Sequence, residues 1–427
     1  MMTNTPNLHR SLGLSGAILL GLGSIVGTGV YVSVGIAAGV TGASALLAVM
    51  LAALVATFNG LNSAQLAANH PVSGGTYEYA YRLLNPWLGF TAGWTFLLAK
   101  SASAATAALG FASYLLTALQ ADLNLRVPLA LLALAILTAV ALGGVQRSNA
   151  FNLGIVALAI GALLLFAFFG LSALDSANFA PFFSTDQPLP DFLQAVALMF
   201  VAYTGYGRIA TMGEEVREPR RTIPRAIVGA LLASALLYGL VALAAVGAVG
   251  AATLADLTVQ GRAPLELIAR QLGQPLLAQI VAIGAMAAML SVLLNLVLGL
   301  SRVLLAMGRR CDMPPLVARL NAANTTPPYA VLGVSLLISL LILSGDIAAT
   351  WSFSAFSVLI YYAITDLAAL RLKIEQRLFP RWVALFGLAS CAFLAFWVDP
   401  PIWLLGLTLI VGGLAWQRAA RRLFGKL

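Results

Sequence analysis

Apolar residues run through this chain in long blocks, and polar residues collect in short segments between them. Twelve blocks approach the roughly 20 residues that cross the hydrocarbon core of a bilayer as a helix. They fall at 12–39, 43–67, 87–118, 127–144, 149–171, 190–213, 225–251, 275–307, 328–345, 348–369, 382–397 and 402–417. The last two are short, yet they keep the alternation with charged segments. The pattern predicts an all-α polytopic membrane protein with twelve spans.

Composition agrees. Of 427 residues, 61% are hydrophobic and only 9% charged, far below the roughly 25% charged residues of soluble domains. A water-soluble enzyme, a disordered chain and a nucleic-acid binder are all disfavoured. The net charge of +9 reports topology, because Lys and Arg gather on the cytoplasmic side of membrane proteins. With the N-terminus inside, nineteen basic residues lie on inner segments and three (Arg126, Arg262, Arg270) on outer ones. Lys100 and Arg208 fall within spans. Both termini are therefore expected in the cytoplasm, and the inner basic residues are expected to meet anionic lipid. The polar stretch Met1–Arg10 lacks a signal-peptide cleavage site, so the first span is expected to stay in the mature protein. Two cysteines (Cys311, Cys391) and two histidines (His9, His70) give neither a disulfide framework nor a metal cluster. No cofactor is expected.

Two spans look broken. The first contains Gly21-Leu22-Gly23-Ser24-Ile25-Val26-Gly27-Thr28-Gly29, and each glycine costs a helix about 1 kcal/mol relative to alanine. Its spacing, and the lack of a preceding strand, exclude a dinucleotide-binding fingerprint. The sixth contains Phe200-Val201-Ala202-Tyr203-Thr204-Gly205-Tyr206-Gly207-Arg208. Close helix packing through small residues is one reading of such runs. The other is a pair of interrupted helices at matching places in two five-helix halves, the mark of an inverted-repeat transporter. Half-helix N-termini attract a carboxylate and freed carbonyls accept from an ammonium, so a zwitterionic amino acid is a natural substrate. The implied organisation is an inner N-terminus (1–11), a first repeat (12–171), an outer loop (172–189), a second repeat (190–369), an inner loop (370–381), two extra helices (382–417) and an inner C-terminus (418–427).

The stretch Gly23-Ser24-Ile25-Val26-Gly27-Thr28-Gly29-Val30 resembles the first-helix motif of the amino acid–polyamine–organocation (APC) superfamily, most closely its bacterial proton-coupled amino acid permeases. Pro71-Val72-Ser73-Gly74-Gly75-Thr76-Tyr77-Glu78-Tyr79, with Gly89-Phe90 and Gly93-Trp94 after it, is similar to a second signature. Gly213-Glu214-Glu215-Val216-Arg217-Glu218-Pro219 through Ile227 is similar to a third, and Gly299-Leu300-Ser301-Arg302 to a fourth. The resemblance implies the five-plus-five inverted repeat of leucine transporters with two extra C-terminal helices, and alternating access around a central site. It places a substrate carboxylate at the amides of Gly27, Thr28 and Gly29. The ammonium meets carbonyls of Ile25, Val201, Ala202 and Thr204, beside Gly205. Tyr203 and Tyr206 either wall the pocket or pack between helices.

Lys100 lies deep in span 3, where a charge costs several kcal/mol and marks a functional hypothesis. Proton-coupled relatives often carry a lysine in span 5 and a glutamate in span 3. The matching positions here, near Ile155 and Ala99, hold neither. Lys100 is expected to replace the span 5 lysine from another helix; the alternative is a lysine satisfied by carbonyls. A sodium site is disfavoured beside this cation, although Ser291 offers one oxygen. Arg208, Glu214 and Glu215, with Arg82, Arg302 and Asp366, are expected to form an inner gate or fixed salt bridges. His70 is read as a packed loop residue. The sequence thus predicts a secondary transporter, not an enzyme, of the plasma membrane. Its expected partners are a small neutral amino acid and protons. An ion-independent exchanger or an organic-amine carrier is the alternative, and a non-transporting receptor is less favoured. Oligomeric state stays open.

Overall fold

The computed structural model describes residues 13–70, 74–144, 149–183, 186–210, 216–322 and 326–424. Among them the elements are all helical: α1 (Leu14–Ile25), α2 (Val34–Thr41), α3 (Ala45–Asn69), α4 (Thr76–Leu83), α5 (Pro86–Ala118), α6 (Arg126–Leu142), α7 (Asn149–Ser172), α8 (Pro188–Tyr203), α9 (Gly207–Ala210), α10 (Pro219–Val249), α11 (Ala251–Val259), α12 (Pro264–Gln271), α13 (Pro275–Arg309), α14 (Pro328–Ile342), α15 (Ile347–Leu370), α16 (Arg381–Leu394) and α17 (Pro400–Phe424). Short 3-10 or π turns join several of them.

Eight helical runs among the described residues are long and apolar enough to cross a membrane. This makes the chain a polytopic membrane protein. The count falls short of twelve for physical reasons. The first and sixth expected spans are cut in two, and α14 and α16 are shorter than a full crossing. The run Gly29–Asn69 is counted once, although Gly42, at φ +73°, turns the chain between α2 and α3.

Helix α5 is the axis of the bundle. Asn85 Oδ1 accepts the Leu88 amide at 2.9 Å and Pro86 opens the first turn, both strong start signals. Its middle, from Ala99 through Ala108, is made of small residues apart from Lys100, every one of them buried. Small side chains let neighbours approach closely, which drives helix association where lipid supplies no hydrophobic force. Helices α13 and α15 pack along this surface. Helix α3 uses the same device: Ala48, Ala52 and Ala56 are fully buried one turn apart, and face α8 and α10. Helix α14 turns Val331, Val334, Ile338 and Ile342 inward and leaves Leu332, Leu336, Leu340 and Leu343 exposed, as a lipid-facing stripe.

Three short helices, α4, α11 and α12, occupy segments that read as loops from the sequence. Helix α12 precedes α13 at the end of the bundle away from Arg309. Its Glu266 side chain is fully buried, and Oε1 pairs with Arg270 at 2.7 Å, while Oε2 has no partner. Burial raises the Glu266 carboxyl above its ordinary range, with Arg270 opposing the shift. The unfolded chain therefore releases this proton at lower pH than the folded one. Stability contributed by the neutral acid is lost as pH rises through that interval. Accordingly, Glu266→Gln should raise the unfolding temperature in detergent at pH 7, and the gain should vanish in acid. A destabilised variant at pH 7 would show that the Arg270 pair outweighs the burial cost.

Candidate functional site

The two interrupted helices meet in the middle of the bundle. Helix α1 ends at Ile25, and the chain passes through Val26 and Gly27 before a π turn at Gly29–Ser33 leads into α2. Helix α8 ends at Tyr203, and a 3-10 turn at Thr204–Tyr206 precedes α9. Backbone touches backbone at two glycines. A methyl on Gly205 would sit 2.1 Å from the Ser24 carbonyl oxygen. One on Gly29 would sit 2.7 Å from Ala202 Cβ. Only residues without a Cβ fit here, which is why both interruptions carry glycine.

Beside this crossing lies a cavity of about 870 Å³. It extends from the breaks to the end of the bundle bearing Arg302, Arg309 and Arg310, and α5, α13 and α15 complete its walls. Its far end is closed by Trp351, whose Nε1 donates to the Leu198 carbonyl at 2.9 Å. At this end hydroxyl pairs bolt α5 to α15: Ser103, which also lines the cavity, with Ser354 at 2.7 Å, and Thr106 with Thr350 at 2.9 Å. The cavity is thus open at one end of the bundle and shut at the other.

Lys100 reaches this cavity from α5 and is only 9% exposed. Its Nζ donates to Thr204 Oγ1 at 2.7 Å, and that hydroxyl donates to the Val201 carbonyl at 2.7 Å. Tyr362 Oη, from α15, donates to the Thr204 carbonyl at 3.3 Å. Thr204 therefore links the lysine, the α8 break and α15. On the opposite wall Thr28 is buried, and its hydroxyl has no partner. A buried orphan hydroxyl costs about 1–3 kcal/mol, so this oxygen is available to a ligand.

Of the residues singled out in the sequence, Ile25, Thr28, Gly29, Lys100, Val201, Ala202, Thr204, Gly205 and Arg208 line the cavity. The Ile25 carbonyl already accepts from Tyr238 Oη at 2.7 Å. Gly27 packs α1 against Val292 of α13. Tyr203 is fully buried: its hydroxyl donates to the Val49 carbonyl at 3.2 Å and its ring lies on Tyr238. Tyr206 is also fully buried, against Tyr362. Glu214 and Glu215 lie outside the described residues.

At the cavity mouth, Arg310 makes a bidentate pair with Glu78, at 3.1 Å and 2.5 Å, and lies over the Tyr81 ring. Next to it Asp312, fully buried, accepts from the Tyr77 and Tyr81 hydroxyls and from Gln417 and Arg421 of α17. His70 lies near Tyr79, and burial followed by the Arg82 charge lowers its pKa. The sequence reading missed Glu78, Arg310, Asp312, Trp351, Tyr361 and Tyr362. The neighbouring tyrosines of span 10 were a usable signal for the last two. The mouth pairs join residues more than 100 positions apart.

Residues 16–420 match the family described as Amino acid permease. The chain belongs to that family. An uncharacterized transporter of Mycobacterium tuberculosis is 40% identical over 391 residues, covering 91% of this chain and 86% of that protein. A methylthioribose transporter of Bacillus subtilis is 29% identical over 343 residues, covering 76% and 73%. A branched-chain amino acid permease of the same organism is 28% identical over 343 residues, covering 76% and 72%. These relatives are transporters, and the permease fold here carries a cavity at the crossing of its broken helices.

Gly205→Ala tests that crossing. The added methyl meets backbone, which cannot rotate away, so the permease should lose about 1–3 kcal/mol, read as a lower unfolding temperature in detergent. An unchanged temperature would mean that the two breaks do not press on each other.

Proposed function

We propose that this permease is a secondary active transporter that moves neutral L-amino acids with protons across the plasma membrane, by alternating access. In this reading there are twelve spans. α1 with α2, then α3, α5, α6 and α7, form one repeat. α8 with α9, then α10, α13, α14 and α15, form its inverted partner. α16 and α17 are additional. Each repeat opens with an interrupted helix, as this symmetry requires, and both termini are cytoplasmic. The cavity then faces the cytoplasm, because its mouth carries the basic residues.

The observation that carries the proposal is the Lys100–Thr204 hydrogen bond at the α8 break. A substrate bound between the breaks finds amides at Gly29 and the free Thr28 hydroxyl on one side, and the Thr204 turn on the other. Lys100 holds that turn through its ammonium. Charge-assisted hydrogen bonds are roughly twice as strong as neutral ones, so losing the proton loosens one wall of the site. Proton release and substrate release are thereby coupled. The neutral preference rests on charge. Among the described residues Glu78 is the acidic residue lining the cavity, and Arg310 already pairs with it. A cationic side chain finds no counter-charge at the breaks and is repelled by Lys100. The branched-chain permease relative supports a neutral substrate.

The test is uptake into proteoliposomes of pooled radiolabelled amino acids, with and without an inward proton gradient, in sodium-free buffer. Methylthioribose and polyamines serve as competitors. A gradient of about one pH unit is expected to drive roughly tenfold accumulation per coupled proton, and Lys100→Ala should abolish accumulation while remaining folded. Gradient-independent exchange would make the permease an exchanger and Lys100 a structural residue. Inhibition by polyamines instead of amino acids would overturn the substrate class.

A further inference from the structure

Behind Tyr362, away from the cavity, lies a second polar cluster that the lysine mechanism does not use. At its centre is Asp366 of α15, with no exposed surface. Asp366 Oδ1 accepts from Asn62 Nδ2 at 2.7 Å. Asn62 Oδ1 in turn accepts from Gln65 Nε2 at 3.0 Å. Asp366 Oδ2 has no partner. It faces the backbone of α16 at Gly387, where a methyl would sit 2.8 Å from it.

None of the ion pairs found among the described residues involves Asp366. The titratable groups that face it are Tyr206 from the turn between α8 and α9, Cys391 from α16, and Tyr362 on its own helix. Cys391 Sγ donates to Asn59 Oδ1 at 3.3 Å. From α3 come only the amides of Asn59, Asn62 and Gln65. Helices α4, α5, α8 and α17 also pack on α15, and among the described residues they bring no charge to this carboxyl.

Two forms of Asp366 compete. An ionised carboxylate here, with one amide donor and no cation, bears the full desolvation cost of an unpaired buried charge. A neutral acid bears at most one unmade hydrogen bond, which costs less than an unpaired charge. The neutral form wins. The geometry also says where its proton sits: Oδ1, accepting from Asn62, is the carbonyl oxygen, so Oδ2 carries the hydrogen. We propose that Asp366 is a second proton-binding site, loaded in this conformation, and that it empties only when α15 separates from α3 or α16.

The ligand is a proton from water at the cavity mouth. Loading forms one O–H bond on Oδ2 and breaks one in hydronium, leaving water. The mouth is near: Thr365 is bonded to Thr76 at 2.7 Å, and Gly74 and Gly75, just before Thr76, line the cavity. Ionisation requires donors or water at Oδ2, and Gly387 leaves no room for either while α16 stays seated. Protonation and seating are therefore linked, and each biases the other by the same free energy. The link to transport rests on the function proposed above, whereas the protonation state does not.

The experiment is pH-difference infrared spectroscopy of the full chain in lipid, comparing wild type with D366N. The wild type should show the C=O stretch of a protonated carboxyl at pH 7, and D366N should lack it. N62A removes the amide donor and should shift that band, which assigns it even if D366N does not fold. No such band in the wild type at neutral pH would overturn the proposal. In proteoliposomes, D366N cannot ionise. Its transport should follow pH less steeply than the wild type between about pH 6 and 8, by up to about tenfold per pH unit for a titrating site linked to the cycle, leaving the dependence that Lys100 supplies. A wild-type pH profile in D366N would overturn the linkage. If the wild type moves no substrate, the transport reading fails and the infrared band still decides the site.

Discussion

The crossing of two interrupted helices governs this structure. A backbone out of water must have its amides and carbonyls satisfied, and an unwound segment survives at membrane depth only inside protein or against a water-filled cavity. Here both conditions are met at once. Gly205 rests against the Ser24 carbonyl and Gly29 against Ala202, while the other sides of both turns face the cavity. Freed carbonyls find donors from neighbouring helices, Tyr238 for Ile25 and Tyr362 for Thr204, while Trp351 adds a donor to the Leu198 carbonyl within α8. Two tyrosines, on α10 and α15, thus take over hydrogen bonding that the missing helical turns gave up.

From that constraint follows the division of labour among the helices. Small residues on α3 and α5 bring backbones close and leave the centre of the bundle dense. The breaks open a polar surface within it, and Lys100 is held there through a threonine whose own carbonyl anchors α15. Any rearrangement at Thr204 is therefore felt by α5, α8 and α15 together. The hydroxyl pairs between α5 and α15 that shut the far end of the cavity lie along the same two helices. Opening at one end and closure at the other share a single pair of elements.

The broken spans were legible because their signal is local. Glycines in an apolar run have few readings, and nine of the expected site residues do line the cavity. Lys100 was legible for a different reason: a charge at membrane depth is costly, so its mere presence is informative. The tyrosines were ambiguous because a tyrosine in a span serves packing and polar contacts equally well. Tyr203 turned to packing, and Tyr362, four spans further along the expected order, became the wall. The mouth could not be read. Arg310 and Asp312 sit in a segment with ordinary loop composition, and only the tertiary fold brings them to Glu78 and Arg421. The short helix α4, which carries Glu78 and both tyrosines, was hidden for the same reason.

Helix α17 has lipid on much of its surface, yet its last turns hold the mouth. Trp416 donates to the Asp312 carbonyl at 3.1 Å, Gln417 bridges Tyr81 and Pro86, and Arg421 grips both Asp312 and Tyr81. Further up, Trp94 of α5 donates to the Leu409 carbonyl at 2.8 Å, against Gly413. The tail is thus a lever fixed at mid-length to the central helix and clasped at its tip around the entrance. A change of bulk or charge just beyond Arg421 therefore falls beside the contacts with Asp312 and Tyr81 that hold the mouth together.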